Sequence, residues 1–160
     1  MDLNCAEHRE EIEAGFPNLR KTAYEVTSWP APYNCIAWAA EDTRRPWWPN
    51  ARPDYYWPDG CPEAETVEAF IETFKTLGYE PCSDGSFEDG FLKVAIFEDD
   101  LEVRHMARQV NATTWTSKLG EFFDIEHERV QGVEGECYGV VVAYMKRPAL
   151  KARRIKDPIL

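Results

Sequence analysis

Two residues in this chain are of the types that could do nucleophilic chemistry together, Cys35 and His105. A cysteine attacks as its thiolate. The start of a helix lowers a thiol pKa, because unpaired N–H groups and the macrodipole favour negative charge. Cys35 follows Asn34, a good N-cap, and opens the Ala-rich run Cys35-Ile36-Ala37-Trp38-Ala39-Ala40. An imidazole must take the thiol proton. Of the three histidines, His8 lies on a polar N-terminal helix and His127 follows the ambiguous stretch FFDIE. His105 lies between Val103 and Met106 in an interior strand pattern, and is the better partner. Asn34 and the backbone N–H of Cys35 could together form an oxyanion hole.

The imidazole needs a third group on the next strand to orient it. The segment WTSKLG supplies Ser117 and Lys118 and no Asn or Asp. If Val110 pairs with Trp115, Ala107 faces Lys118 and His105 faces Gly120. A one-residue change in loop length brings Ser117 and Leu119 to the His105 face instead. Asp124 and Gln109 are further options.

These residues must be positioned by elements that the local patterns predict. Asn4 to Gly15 reads as a helix with a capping box at Asn4 and Glu7. Tyr24 to Pro32 is extended, and a helix starts at Cys35. Thr43 to Cys61 is a long Trp/Tyr/Pro-rich loop. Pro62 to Leu77 is an amphipathic helix, with Val67, Phe70, Ile71, Phe74 and Leu77 on one face. Strands follow at Phe91 to Phe97, Glu102 to Val110, Thr114 to Leu119 and Tyr138 to Met145, with turns at Asp99-Asp100 and Asn111-Ala112-Thr113. Gly120 to Val130 is ambiguous. Helices first and antiparallel strands later make this an α+β chain. Residues 1–148 form one domain, and 149–160 read as a flexible C-terminal tail.

Composition narrows the function classes. A net charge of −11 disfavours nucleic acid and anionic membranes as partners. The five cysteines are irregularly spaced and form no CxxC pair, so no metal site or disulfide framework is expected. No cofactor motif is present. An N-terminus without an apolar run, and thiols expected to be reduced, point to a cytoplasmic protein.

The motifs YNCIAWA, YWPDGCPEAETVEAFIETFKTLGYEPC, HMARQ, WTSKLG and YGVVVAYMKRP resemble a bacterial family of uncharacterised proteins, over residues 16–148. A cysteine-bearing helix followed by a histidine-bearing strand also resembles the papain-like cysteine peptidases, including the compact NlpC/P60-type hydrolases. That second resemblance implies N-terminal helices packed on an antiparallel β-sheet, papain-like in architecture. It makes Cys35 the nucleophile and His105 the base and acid of an amide or isopeptide hydrolase, with Ser117 and Asn34 in support. A protein or peptide substrate would meet Trp38, Trp48, Tyr56, Trp57 and Lys118. The alternative is a non-catalytic binding module, effector or immunity-type, that uses the Trp/Tyr/Pro loop as its contact surface. That loop reads either as a groove wall or as a lid over a small core.

Overall fold

The computed structural model describes residues 2–28, 31–50, 53–119 and 123–149. The expected tail, 150–160, lies outside the described residues. Ala149 is described, and its N–H donates to the Gly90 carbonyl.

The chain enters through α1 (Ala6–Gly15), a polar helix that buries only Ile12. Cys5 takes the N-cap position and makes no side-chain cap bond. Asn4, expected to be the cap, instead extends the sheet edge. Its amide accepts from Val26 N and donates to Val26 O, a side-chain copy of strand pairing. A short 3-10 helix, Pro17–Lys21, then sinks Leu19 into the core. After strand β1 (Tyr24–Ser28) comes α2 (Cys35–Ala39), whose N-cap Asn34 accepts from Ala37 N. Helix α3 (Val67–Lys75) starts five residues later than Pro62 suggests. Thr66 caps it by accepting from Ala69 N, and the Glu65 carbonyl is used elsewhere, accepting from Val103 N.

The remaining strands are β2 (Glu80–Cys82), β3 (Phe91–Asp99), β4 (Glu102–Asn111), β5 (Thr114–Lys118), β6 (Asp124–His127) and β7 (Val140–Pro148). They join β1 in one seven-stranded sheet of order β1-β6-β5-β4-β3-β7-β2, with antiparallel neighbours throughout. β2 escapes the sequence pattern because it is three residues long and contains Pro81, which only an edge strand tolerates. β6 occupies part of the ambiguous 120–130 stretch. The α+β class is what the structure has, although its sheet outweighs its helices.

Side chains alternate across the sheet, so the central strands feed two cores. One face carries Ala95, Phe97, Ala107, Trp115 and Ile125, covered by α1, the Pro17–Lys21 turn and the 3-10 helix Val130–Val133. The other face carries Val94, Ile96, Met106 and Met145, covered by α2, α3 and the aromatic segment around Trp47. No helix among the described residues is long and apolar enough to cross a membrane.

β7 is admitted to the sheet by a glycine. Gly139 has φ +74°, and a Cβ built there would lie 2.0 Å from the Glu98 carbonyl oxygen. Both the conformation and the space demand glycine. Gly139→Ala should therefore cost more than about 3 kcal/mol in urea unfolding. Gly60→Ala, with φ +81° and open space around it, should cost roughly 1 kcal/mol. Equal costs at the two positions would contradict this packing.

Candidate functional site

The two residues expected to share a proton lie on opposite faces of the sheet. Cys35 opens α2 and packs among Ile36, Val94, Ile96 and Met106. His105 pairs with Phe97 across β3 and β4, and its side chain enters the other core. There it packs edge-on against Phe97 and stacks on Tyr138, with centroids 4.0 Å apart and planes 4° from parallel. Cys35 neighbours Met106, one residue along β4 from His105, and that single step reverses the side-chain direction. The expected Cys35–His105 pair is therefore not assembled.

The thiol is also in the wrong electrostatic state for attack. Burial pushes the Cys35 pKa up to about 11. Hydrogen bonding from the Met106, Ile36 and Cys35 backbone, and the charge of Lys118, oppose this without reversing it. The five-residue helix α2 gives little help, and the thiol stays protonated near neutral pH. Asn34 is not a spare oxyanion donor either. Its Oδ1 accepts from Ala37 N and Trp47 N, both at 3.0 Å, and its Nδ2 donates to Trp47 O at 2.8 Å. One side chain thus caps α2 and fastens the aromatic segment to it.

Ser117 does reach His105. The hairpin register is Gln109 with Trp115 and Arg108 with Thr116, and an irregularity between Gln109 and Asn111 sets that offset. His105 Nε2 lies 3.0 Å from Ser117 Oγ, and Ser117 Oγ lies 2.8 Å from His127 Nε2. His127 Nδ1 lies 2.8 Å from the Arg129 carbonyl. A carbonyl only accepts, so His127 carries its proton on Nδ1 and accepts on Nε2. Ser117 then donates to His127, and His105 donates from Nε2 to Ser117. The one remaining atom, His105 Nδ1, is a buried acceptor with no partner. This buried relay is half legible in the sequence: Ser117 is a candidate there, while the ambiguous FFDIE stretch hides strand β6 and with it the role of His127.

The Cys35 face holds a second polar group that spacing did not reveal. Lys118 and Asp124 are register partners on β5 and β6. Lys118 Nζ lies 3.9 Å from Asp124 Oδ1, and both side chains are buried. Tyr33 donates to Asp124 Oδ2 at 2.5 Å, and burial followed by that bond raises its phenol to about 12. Lys118, expected to bind substrate, is instead a core ion pair with no solvent exposure. Gln109, the other possible orienter, donates to the Gly85 carbonyl, away from either group. No group of three potential metal ligands occurs among the described residues.

The predicted binding residues divide between the core and the surface. Trp38 stacks on Tyr33, donates to Thr116 Oγ1 and lies beneath the Arg108 guanidinium. Trp47 is buried, and its indole donates to Asp42. Burial alone would raise the Asp42 pKa, but donors from Trp47, Arg44 and Arg45 hold it well below the usual carboxylate range. Trp48, Tyr56 and Trp57 are half-buried and rest on the α3 core. The loop is pinned by a bridge between Trp47 and Tyr56, with Trp57 packed on Phe70 at 5.1 Å and Trp48 on Phe70 at 5.7 Å. It is a lid over α3 whose outer ring surfaces stay half exposed.

The relay makes stability depend on pH. Burial holds both imidazoles neutral, His105 well below 6.5 and His127 at about 4. The nearby His127 adds to the depression of His105, and the Arg129 carbonyl partly offsets that of His127. The unfolded chain therefore binds protons first as pH falls. Stability should be complete above pH 6.5 and decline towards pH 4, by up to roughly 1.4 kcal/mol per pH unit for each histidine. Urea midpoints taken from about pH 7 to about pH 5 should show this, and His105→Leu should reduce the slope by about half. A midpoint that does not move would mean that the imidazoles are reached by water.

Comparison with known proteins adds a family and no activity. No papain-like or NlpC/P60-type family matches. No curated protein and no solved structure matches the chain. Residues 25–146 match DUF7689, a domain of unknown function, and span both sides of the sheet, the Asn34 clamp and the aromatic lid; the chain belongs to that family.

Proposed function

We propose that this domain is a non-catalytic binding module that takes a basic, extended segment of a partner protein on its aromatic lid. The observation that carries this reading is the composition of the lid and the helix beneath it. Residues 43–75, the loop and the helix together, contain Asp54, Asp59, Glu63, Glu65, Glu68 and Glu72 against Arg44, Arg45, Arg52 and Lys75, and of these cations Arg44 and Arg45 are already engaged by Asp42 and Lys75 by Glu72. The half-exposed Tyr55, Tyr56 and Trp57 lie within the same stretch. Aromatic faces attract cations through their quadrupole, and nearby carboxylates add to the field.

The surface already holds one such cation. The Arg45 guanidinium lies 3.6 Å from the centroid of the Tyr56 ring. The indole N–H groups are spent internally, Trp48 on Glu65 and Trp57 on the Pro62 carbonyl, so a ligand would meet ring faces and carboxylates. The rings are held by Asn34 and by packing on Phe70, which keeps the entropic cost of binding low. The chain's overall charge of −11 would favour encounter with a basic partner. A Cys35 hydrolase would require a thiolate, which burial suppresses.

Titration with short Lys/Arg-rich peptides, followed by tryptophan fluorescence, tests this. Binding should saturate, weaken as salt rises, and fall about tenfold in Trp57→Ala. Acidic peptides of the same length should not bind. Equal responses to basic and acidic peptides, or no saturable response, would refute the proposal.

A further inference from the structure

The chain leaves the sheet beside the helix that carries the acidic surface. Pro148, the last residue of β7, lines a cleft of about 740 Å³ with Lys75 at the end of α3, Gly78 and Tyr79 just after it, and Glu80 and Pro81 of β2. Arg147 fixes that exit. Its guanidinium donates to the Leu77 carbonyl at 2.8 Å and lies over the Tyr79 ring, 4.6 Å from the centroid. Residues 150–160, LKARRIKDPIL, hold four of the chain's 18 Lys and Arg residues and one of its 29 acidic ones. We propose that this segment is the intramolecular occupant of the aromatic lid, a basic stretch that a partner must displace. The inference rests on the lid being the binding face proposed above, and it adds what fills that face when no partner is present.

Charge sets the direction. The chain carries −11 with the cations of this segment included, so the body from which it emerges is more acidic still. Glu72 and Glu68 lie one turn apart on the exposed side of α3, and the exposed Glu63, Asp59 and Asp54 belong to the loop that carries Trp57. Lys75 engages Glu72, but an exposed pair of that kind is weak and readily exchanged. Helix α3 is about 13 Å long. The cations from Lys151 to Lys156 span at most about 18 Å, so the two rows of opposite charge have comparable lengths.

Reach permits the contact. The rings of Tyr79, Phe74, Trp47 and Tyr56 follow one another at centroid separations of 5.8, 6.5 and 5.0 Å, which puts the lid within about 20 Å of the exit. Residues 150–160 extend to at most about 36 Å and cover that distance with length to spare. The chemistry has a precedent at each end of the path, Arg147 on Tyr79 and Arg45 on Tyr56. Tethering makes a weak contact count. At an effective concentration on the order of 1 mM, a segment with an isolated Kd of about 0.1 mM fills its site roughly ten times as often as it leaves it.

The test compares the full chain with a full-length variant in which Lys151, Arg153, Arg154 and Lys156 are all replaced by Gln. Gln removes the charge without creating a new acidic attractor for a basic peptide. In amide and indole NMR spectra at low salt, the Trp57 indole and the Glu68 and Glu72 amides should differ between the two proteins. Leu19 and Val133, in the core on the other side of the sheet, should coincide. The differences should vanish at about 1 M NaCl, where charges are screened within about 3 Å. A short Lys/Arg-rich peptide should bind the variant about tenfold more tightly than the wild-type chain. Identical lid resonances and equal peptide affinities in the two proteins would overturn the docking of this segment and leave the lid reading standing. No saturable peptide binding by the variant would refute the lid reading and this inference with it. Differences that grow with protein concentration would assign the contact to a second copy and overturn the intramolecular form.

Discussion

Burial on both faces of the central strands is the constraint from which the rest of this structure follows. In β3, residues Val94 to Phe97 are all fully buried, so neither face of the sheet meets solvent there. Each successive side chain must then commit to one of two closed cores. In β4, Met106 and, across the β-bulge, Val103 serve the core under α2 and α3, while His105 and Ala107 face the core under α1. Cys35 approaches from the first side. No rotamer of His105 crosses the backbone that separates them, because alternation is a property of the strand and not of the side chain.

Much of this architecture is legible in the sequence. Val67, Phe70 and Phe74 announce α3, because an amphipathic stripe against a core has only one good solution. Asn34 announces the start of α2, since its short side chain reaches the third N–H beyond it. The strands β3, β4, β5 and β7 were visible from period-two patterning and turn residues. Face assignment was not. It depends on irregularities in register, between Phe97 and Glu98 and between Gln109 and Asn111, and a one-residue offset inverts every side chain beyond it. Such offsets arise from long-range pairing and leave no local trace. The buried Lys118–Asp124 pair was hidden for a related reason: a lysine reads as a surface residue until its cross-strand partner is known.

The same logic separates structural polar groups from those available to a ligand. Asn34, Ser117, His105, His127, Lys118 and Asp124 are all polar, and all sit within the fold's own hydrogen-bond and ion-pair networks. Buried polar networks of this kind specify one arrangement of the core over its alternatives. On the aromatic lid, by contrast, rings and carboxylates lie at the boundary with solvent, which is what the proposed binding role would use. The lid is held because Asn34 makes two hydrogen bonds to the Trp47 backbone while a third, from Ala37 N, caps α2. Asn34, which resembles catalytic machinery in the sequence, thus serves to hold the aromatic lid in place.

The central claim is that Cys35 is a sealed, neutral thiol on the opposite face of the sheet from His105, and its titration measures this most directly. The Cβ carbon shift of Cys35, followed by NMR against pH, should stay at its thiol value through neutrality and begin to move only on approach to a pKa of about 11. A thiolate shift already present at neutral pH, changing together with the His105 ring resonances, would contradict the placement of the two residues and restore the nucleophile.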